Sequence, residues 1–367
     1  MIYLDNGATS MHKPIQVFHA MTRAVQICGN PGRGGHSASV AAMETVFGCR
    51  ETASKLFDCT PEQVVFTANC THGLNVAIRT LVKPGSRVVI SGFEHNAVTR
   101  PLYGMGASVT VAGRKLFDPA DTLNQFEKAL QKGADAAVFA HVSNVFGYVL
   151  PAEDLAKLCR KYSVPFVVDA AQSAGMLPVS LDGWGADFIA MPGHKGLLGP
   201  QGTGMLLCGR TPEPLLMGGT GSASVSQQMP DELPDRAEAG TLNVPGIAGL
   251  RAGMDYVMGQ GVEKIFAREA YQAKKCIQGL QKLGVQVFSG EGQSGTVSFV
   301  PNVDCEVFAE KLAERNIAVR AGLHCAPLAH KSAGTLQTGT VRVSFGHDAT
   351  AHQTQCLLQT VKSLLKV

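Results

Sequence analysis

Asp187-Phe188-Ile189-Ala190-Met191-Pro192-Gly193-His194-Lys195-Gly196-Leu197-Leu198-Gly199-Pro200 is the stretch from which the chain is best read. Its first residues form a short apolar run of the length of a buried strand. One lysine then stands between glycines, next to a histidine. A lysine on a glycine-rich turn at a strand end can lie in a cleft. Desolvation there favours the neutral amine, which condenses with aldehydes. A solvated lysine in a surface loop has the same local sequence, so the reading depends on partners elsewhere.

Partners occur at the ends of other apolar runs. Pro165-Phe166-Val167-Val168-Asp169-Ala170-Ala171-Gln172-Ser173 reads as a strand that delivers an aspartate, with a glutamine three residues on. Such an aspartate can equally cap a helix. Val64 to Thr67 is a strand leading through Asn69, Cys70, Thr71 and His72 into a helix that ends at Leu81. A loop of that kind offers free N–H groups to an anion, or is simply an N-cap at Asn69 or Thr71. Arg87 to Ser91 is a strand with His95 just beyond it, where α/β sheets place ligands. Ser108 to Ala112 and Ala136 to His141 are further strands, and Asn144 follows the second. Gly204 to Cys208 reads as an antiparallel strand. Strands alternating with helices predict a doubly wound, mainly parallel α/β sheet.

Pro14 to Cys28 and Ser39 to Phe57 have helical spacing, the latter with Val40, Met43, Val46 and Phe47 as its apolar face. Leu216 to Asn243 lacks periodicity and is too long for an ordinary connection, which suggests a functional segment. Beyond Pro245 come long helices over Arg251 to Met258 and Val262 to Leu283. Strands at Val285 to Phe288, Gly295 to Val300, Ala318 to Arg320 and Thr340 to Phe345 then predict a smaller α+β domain.

The 367 residues suffice for one large domain and one small one. Only 17% are charged, against about 25% in ordinary domains, which suggests extensive buried surface or an oligomer interface. A net charge of +3 without a basic run gives no case for nucleic acid. No apolar segment approaches the roughly 20 residues that span a bilayer, and the first residues lack the regions of a signal peptide. The ten cysteines contain no C-x-x-C pair, so neither a metal site nor a disulfide framework is expected. The expected compartment is the reducing cytoplasm.

Thr71-His72, His95, Asp169 and His194-Lys195 thus lie at strand ends in one domain. Pyridoxal phosphate needs this set: donors for its phosphate, a flat group over its ring, a carboxylate at its pyridine nitrogen and a lysine for its aldehyde. With these residues in place, the chain resembles fold-type I, pyridoxal phosphate-dependent enzymes of the class V aminotransferase superfamily. Within them it is most similar to the cysteine desulfurase and selenocysteine lyase family, SufS-like subgroup. The motifs that carry the resemblance are Val168-Asp169-Ala170-Ala171-Gln172, Gly193-His194-Lys195, Glu238-Ala239-Gly240-Thr241 and Arg320-Ala321-Gly322-Leu323-His324-Cys325-Ala326.

The resemblance implies a large domain over 14–254 with a seven-stranded sheet, and a small domain made of 1–13 and 255–367. It implies that Lys195 bonds the cofactor and moves the substrate's Cα proton, and that Asp169 pairs with the pyridine nitrogen. His95 would stack on the ring, and Gln172 and Asn144 would approach its phenolic oxygen. Thr71, His72 and His194 would hold the phosphate, with Thr241 reaching the partner's phosphate across a homodimer that shares two sites. Arg342 would clamp the substrate carboxylate, Asn144 and Arg320 would also belong to the substrate site, and Asn6, Ala8, Arg33 and His36 would line the entrance. Cys325 would take the sulfur of L-cysteine as a persulfide, releasing L-alanine, and pass it to an acceptor protein. Arg320 and His324 stand close enough in sequence to favour its thiolate. L-Selenocysteine is the alternative substrate, with selenide as product. Cystine β-lysis and transamination are the other class V reactions to weigh. Pro192 and Cys70 depart from relatives in the phosphate loops, and Gly7 replaces a common alanine.

Overall fold

The structure is a computed structural model that describes residues 1–32 and 34–365, so Arg33 lies outside the described residues. Its strands in chain order are β1 (Ile2–Tyr3), β2 (Val64–Thr67), β3 (Arg87–Ser91), β4 (Ser108–Ala112), β5 (Ala136–Ala140), β6 (Phe166–Asp169) and β7 (Phe188–Pro192). These are followed by β8 (Gly204–Cys208), β9 (Gln286–Phe288), β10 (Thr296–Val300), β11 (Ile317–Ala318), β12 (Arg320–Gly322) and β13 (Thr340–Ser344).

Seven strands form one sheet in the order β2-β8-β7-β6-β5-β3-β4. All pairings are parallel except those of β8, which runs against both β2 and β7. Six strands therefore end on one edge of the sheet. Strands β5, β6, β7 and β8 are buried at every residue, as a sheet covered on both faces requires. Their side chains alternate between two cores. Phe139, Val168, Ile189 and Leu207 face one, and Val138, Val167, Ala190 and Leu206 face the other.

The second sheet has four antiparallel strands in the order β12-β13-β10-β9, and β1 pairs in parallel with β11. Val319 separates β11 from β12, so the expected single strand from Ala318 to Arg320 is two short ones. The segment 1–5 joins this part of the molecule, because Asp5 bridges to Ser344. Among the described residues no helix is long and apolar enough to cross a membrane.

The helix Ser37–Phe57 departs from its expected orientation. Val46 is buried, but Val40, Met43 and Phe47 are 37%, 38% and 51% exposed. The buried face carries Ala42, Cys49 and Ala53, small residues that let the helix lie close to its neighbours. The neighbouring helix Ile15–Ile27 also exposes Ile15, Phe18, Val25 and Ile27.

The long segment before the helix Val244–Gln260 is anchored by Glu238. Its carboxylate accepts the Phe66 N–H at 2.6 Å and an Arg50 N–H at 2.6 Å, with both side chains buried. Removing one partner of a buried ion pair leaves the other charge uncompensated. Glu238→Ala is therefore expected to cost about 3–5 kcal/mol, read as a lowered midpoint in urea unfolding.

Candidate active site

The strand ends bring five loops together. The helix Cys70–Leu81 starts where β2 ends, with the Asn69 carboxamide accepting the His72 N–H at 2.9 Å. The N–H groups of Cys70 and Thr71 are left without intrahelical acceptors at the positive end of the helix dipole. His95 follows β3 and caps the helix Asn96–Gly104, its Nδ1 accepting the Ala97 N–H at 3.0 Å. That bond leaves the ring proton on Nε2. Burial lowers the His95 pKa, against Asp169, so the ring is neutral. Asp169 is only 5% exposed at the end of β6, between β5 and β7. Its Oδ1 accepts the Ala171 N–H at 2.9 Å and the Cys70 thiol at 3.5 Å.

Lys195 stands on the loop after β7, and close packing explains the glycines beside it. A Cβ on Gly193 would lie 2.1 Å from Thr203 Oγ1, and one on Gly196 would lie 2.4 Å from the Ala174 carbonyl. Burial lowers the Lys195 pKa, with Asp169 and Cys70 opposing it, so desolvation favours the free amine. Lys195, Asp169, His95, Thr71, Asn144 and His194 line one cavity of about 120 Å³. His194 is held neutral, its pKa lowered to about 4 by burial, then by Lys195 and Lys13, and its Nδ1 meets Thr9 Oγ1 at 3.0 Å.

Glu94 sits beneath this cluster and was not singled out from the sequence. It is fully buried, and its Oε1 accepts the Ala140 N–H at 2.9 Å and the Ser91 hydroxyl. Its Oε2 has no partner among the described residues. Burial pushes the carboxyl from 4.5 up to about 8. Between those values the native state holds a proton that the unfolded state has lost, so stability falls as pH rises. Glu94→Gln is expected to gain on the parent protein from pH 4.5 to 8 and by a constant margin above. Urea unfolding at pH 5, 7 and 9 measures that margin, and a margin independent of pH contradicts the reading.

Arg342 is 2% exposed on β13. It donates from Nη2 to Asp5 Oδ1 at 2.8 Å and from Nη1 to the Asn144 carbonyl at 2.9 Å. Each terminal nitrogen keeps a second N–H, so the guanidinium can still grip a carboxylate. Asp5 also accepts from Arg320, at 2.9 Å from Nη2. One carboxylate thus lies between two guanidiniums and leaves a single net positive charge. Asp5 was missed in the sequence, where its one signal is an acid ending an apolar N-terminal strand. Gln172 donates to the Gly7 carbonyl at 2.9 Å and Asn144 to the His324 carbonyl at 2.8 Å, while Asn144 Oδ1 is buried without a partner. Asn6 Nδ2 donates to the Ser344 carbonyl at 3.0 Å, and the Ala8 N–H to the Asp5 carbonyl at 3.0 Å.

All ten cysteines are free, and Cys325 is the exposed one. Cys28, Cys59 and Cys356 are half-buried, and the other six are buried. The Cys325 carbonyl accepts the Asn96 N–H at 2.7 Å, which ties the thiol's loop to the helix that His95 caps. His324 corrects an expectation. It is buried, and its pKa is lowered to about 3, chiefly by that burial, so it is neutral and brings no charge to the thiol. Arg320 is the cation near Cys325.

His36 and Thr241 lie elsewhere. They line a separate cleft of about 810 Å³ beside Met43 and Phe47. Thr241 also shares a cavity of about 220 Å³ with His72.

Comparison with known proteins agrees with this geometry. The aminotransferase class-V family pattern matches residues 2–357. The chain is 31% identical to "Probable cysteine desulfurase" of Methanothermobacter thermautotrophicus, covering 99% of this chain and 94% of the relative. It is 32% identical to "Probable cysteine desulfurase" of Pyrococcus abyssi, covering 100% and 94%. Among solved structures, the apo cysteine desulfurase from Thermococcus onnurineus NA1 superposes with a TM-score of 0.90 at 32% identity, over 100% of this chain and 94% of that one. The chain belongs to the class-V aminotransferase family. Within it, these three relatives carry the name cysteine desulfurase and are matched along nearly their whole length, and the chain stands among them.

Proposed function

We propose that the cavity at Lys195 binds pyridoxal phosphate and that the enzyme converts L-cysteine to L-alanine, leaving the sulfur as a persulfide on Cys325. The observation that carries this reading is a link between two groups: the carbonyl of the exposed Cys325 accepts the Asn96 N–H of the helix whose cap His95 and residue Ala97 line the cavity of Lys195 and Asp169. The residues fit the cofactor. An amine favoured in its neutral form stands with a buried carboxylate, a flat neutral imidazole and a helix N-terminus suited to a phosphate. Asn144 Oδ1 is a buried acceptor still without a partner.

Lys195, Asp169, His95, Thr71, His72, His194, Gln172 and Asn144 would hold the cofactor. When bound, it supplies an electron sink for the carbon next to the amino group. The protein's own residues do the rest. Arg342 grips the substrate carboxylate and fixes the Cα–H toward Lys195, whose neutral amine takes that proton. Asp169 holds the pyridine nitrogen in its protonated form. The Cys325 thiolate attacks the substrate sulfur. An S–S bond forms and the Cβ–S bond breaks with its electron pair left on carbon; Cβ gains a proton to become a methyl group, and Lys195 returns a proton to Cα, which gives alanine.

A homodimer is part of the proposal. Met43 and Phe47, exposed on the helix Ser37–Phe57, line the cleft of His36 and Thr241, and an apolar contact there would bring Thr241 to a second copy's phosphate site. The division into 14–254 and 1–13 with 255–367, the SufS-like grouping, the acceptor protein and a cytoplasmic setting are proposed with it. A single-turnover assay with L-cysteine tests the chemistry. Alanine and Cys325 persulfide should form in equal amounts, and pyruvate in place of alanine would overturn the reading.

A further inference from the structure

The turn that carries Cys325 has an uncommon backbone. His324 and Cys325 are consecutive non-glycine residues with φ of 50° and 54°, in the left-handed region. Such a turn persists only where its surroundings over-determine it. Part of that hold is on the backbone. The His324 carbonyl accepts from Asn144, the Cys325 carbonyl from the Asn96 N–H, and the Ala326 N–H donates to the Leu323 carbonyl at 2.9 Å.

The rest runs through side chains that take no part in the chemistry above. His324 Nε2 lies 3.3 Å from the Arg320 carbonyl, and its Nδ1 lies 3.4 Å from His330 Nε2. His330 Nδ1 lies 2.8 Å from Thr335 Oγ1. Both rings are buried, and they stack at 5.6 Å with 11° between their planes.

The proton positions in this chain follow from its ends. A carbonyl only accepts, so His324 Nε2 carries a proton. In a neutral ring its Nδ1 then accepts, so His330 Nε2 must donate. His330 Nδ1 is left as an acceptor, and the Thr335 hydroxyl donates to it. Each group satisfies the next, in one direction only. Thr335 is itself fixed, its N–H donating to the His330 carbonyl at 2.9 Å and its carbonyl accepting from Gly339 at 2.8 Å.

We propose that His330 and Thr335 are positioning residues, which hold the strained His324–Cys325 turn in one arrangement and so keep the thiol at the mouth of the Lys195 cavity. The inference rests on the reading of Cys325 as the sulfur acceptor, but the rigidity of the turn can be measured apart from it.

Thr335→Val removes the donor at nearly constant shape, and Thr335→Ser restores a hydroxyl. In the purified full-length enzyme, the valine variant should speed hydrogen exchange at the Asn96 and Ala326 amides about three- to tenfold. It should slow persulfide formation on Cys325 by a similar factor and leave the cofactor's visible spectrum unchanged. The serine variant should return both rates toward those of the parent protein. His330→Phe, which fills the space without a nitrogen, breaks the chain independently and should give the same two changes. Exchange and persulfide rates unaltered in the valine and phenylalanine variants would overturn the proposal, as would a serine variant as impaired as the valine one. Faster exchange in a protein whose parent forms no persulfide at all would leave the turn's support intact and sink the proposed function instead.

Discussion

Lys195→Ala is expected to lower turnover of L-cysteine by on the order of a thousandfold or more while leaving the fold in place. The loss is large because one amine is asked both to bond the cofactor and to move the Cα proton. The fold survives because this lysine forms no ion pair among the described residues, and burial already disfavours its charge. The checks are the rate of alanine formation, the visible band of the covalently bound cofactor and the urea midpoint. Turnover within tenfold of the parent protein would remove Lys195 from the chemistry.

Cys325→Ala has the second large effect. Desulfuration of L-cysteine should fall at least a hundredfold while the cofactor's visible band stays as it was. The exposed thiol does not hold the cavity together, but its removal leaves the substrate sulfur with no nucleophile to receive it. Selenium leaves carbon more readily than sulfur, so cleavage of L-selenocysteine should continue in this variant. Parallel assays on the two amino acids decide the matter. Equal loss of both activities would mean that Cys325 also supports the cavity. Retention of both would mean that sulfur leaves by another route.

The strand ends were legible because they rest on local patterns. Phe166–Asp169 and Phe188–Pro192 are buried on both faces and read as unbroken apolar runs, so the residues just past them could be placed on one edge of the sheet. The orientation of the helix Ser37–Phe57 was not legible. Val40, Met43 and Phe47 point outward while Val46 and Phe57 are buried, and the pattern alone does not distinguish a core from an interface. Asp5 was missed because its partners Arg320 and Arg342 are more than 300 residues away in sequence, and no spacing rule reaches that far. His324 was misread for a related reason. Proximity to a cysteine is visible in a sequence, but the burial that strips the imidazole of its charge is not.

The central claim is that the cofactor's aldehyde bonds to Lys195, and trapping that bond tests it most directly. The purified protein would be treated with borohydride in the presence of pyridoxal phosphate, digested, and the modified lysine located by mass spectrometry. A second amine offers a fair competitor. Lys13 lies nearby, its Nζ 2.9 Å from Ser10 Oγ and its pKa lowered to about 8 by burial. The account predicts stoichiometric modification of Lys195 alone. Modification of Lys13 or another lysine in its place, or of none, would contradict it.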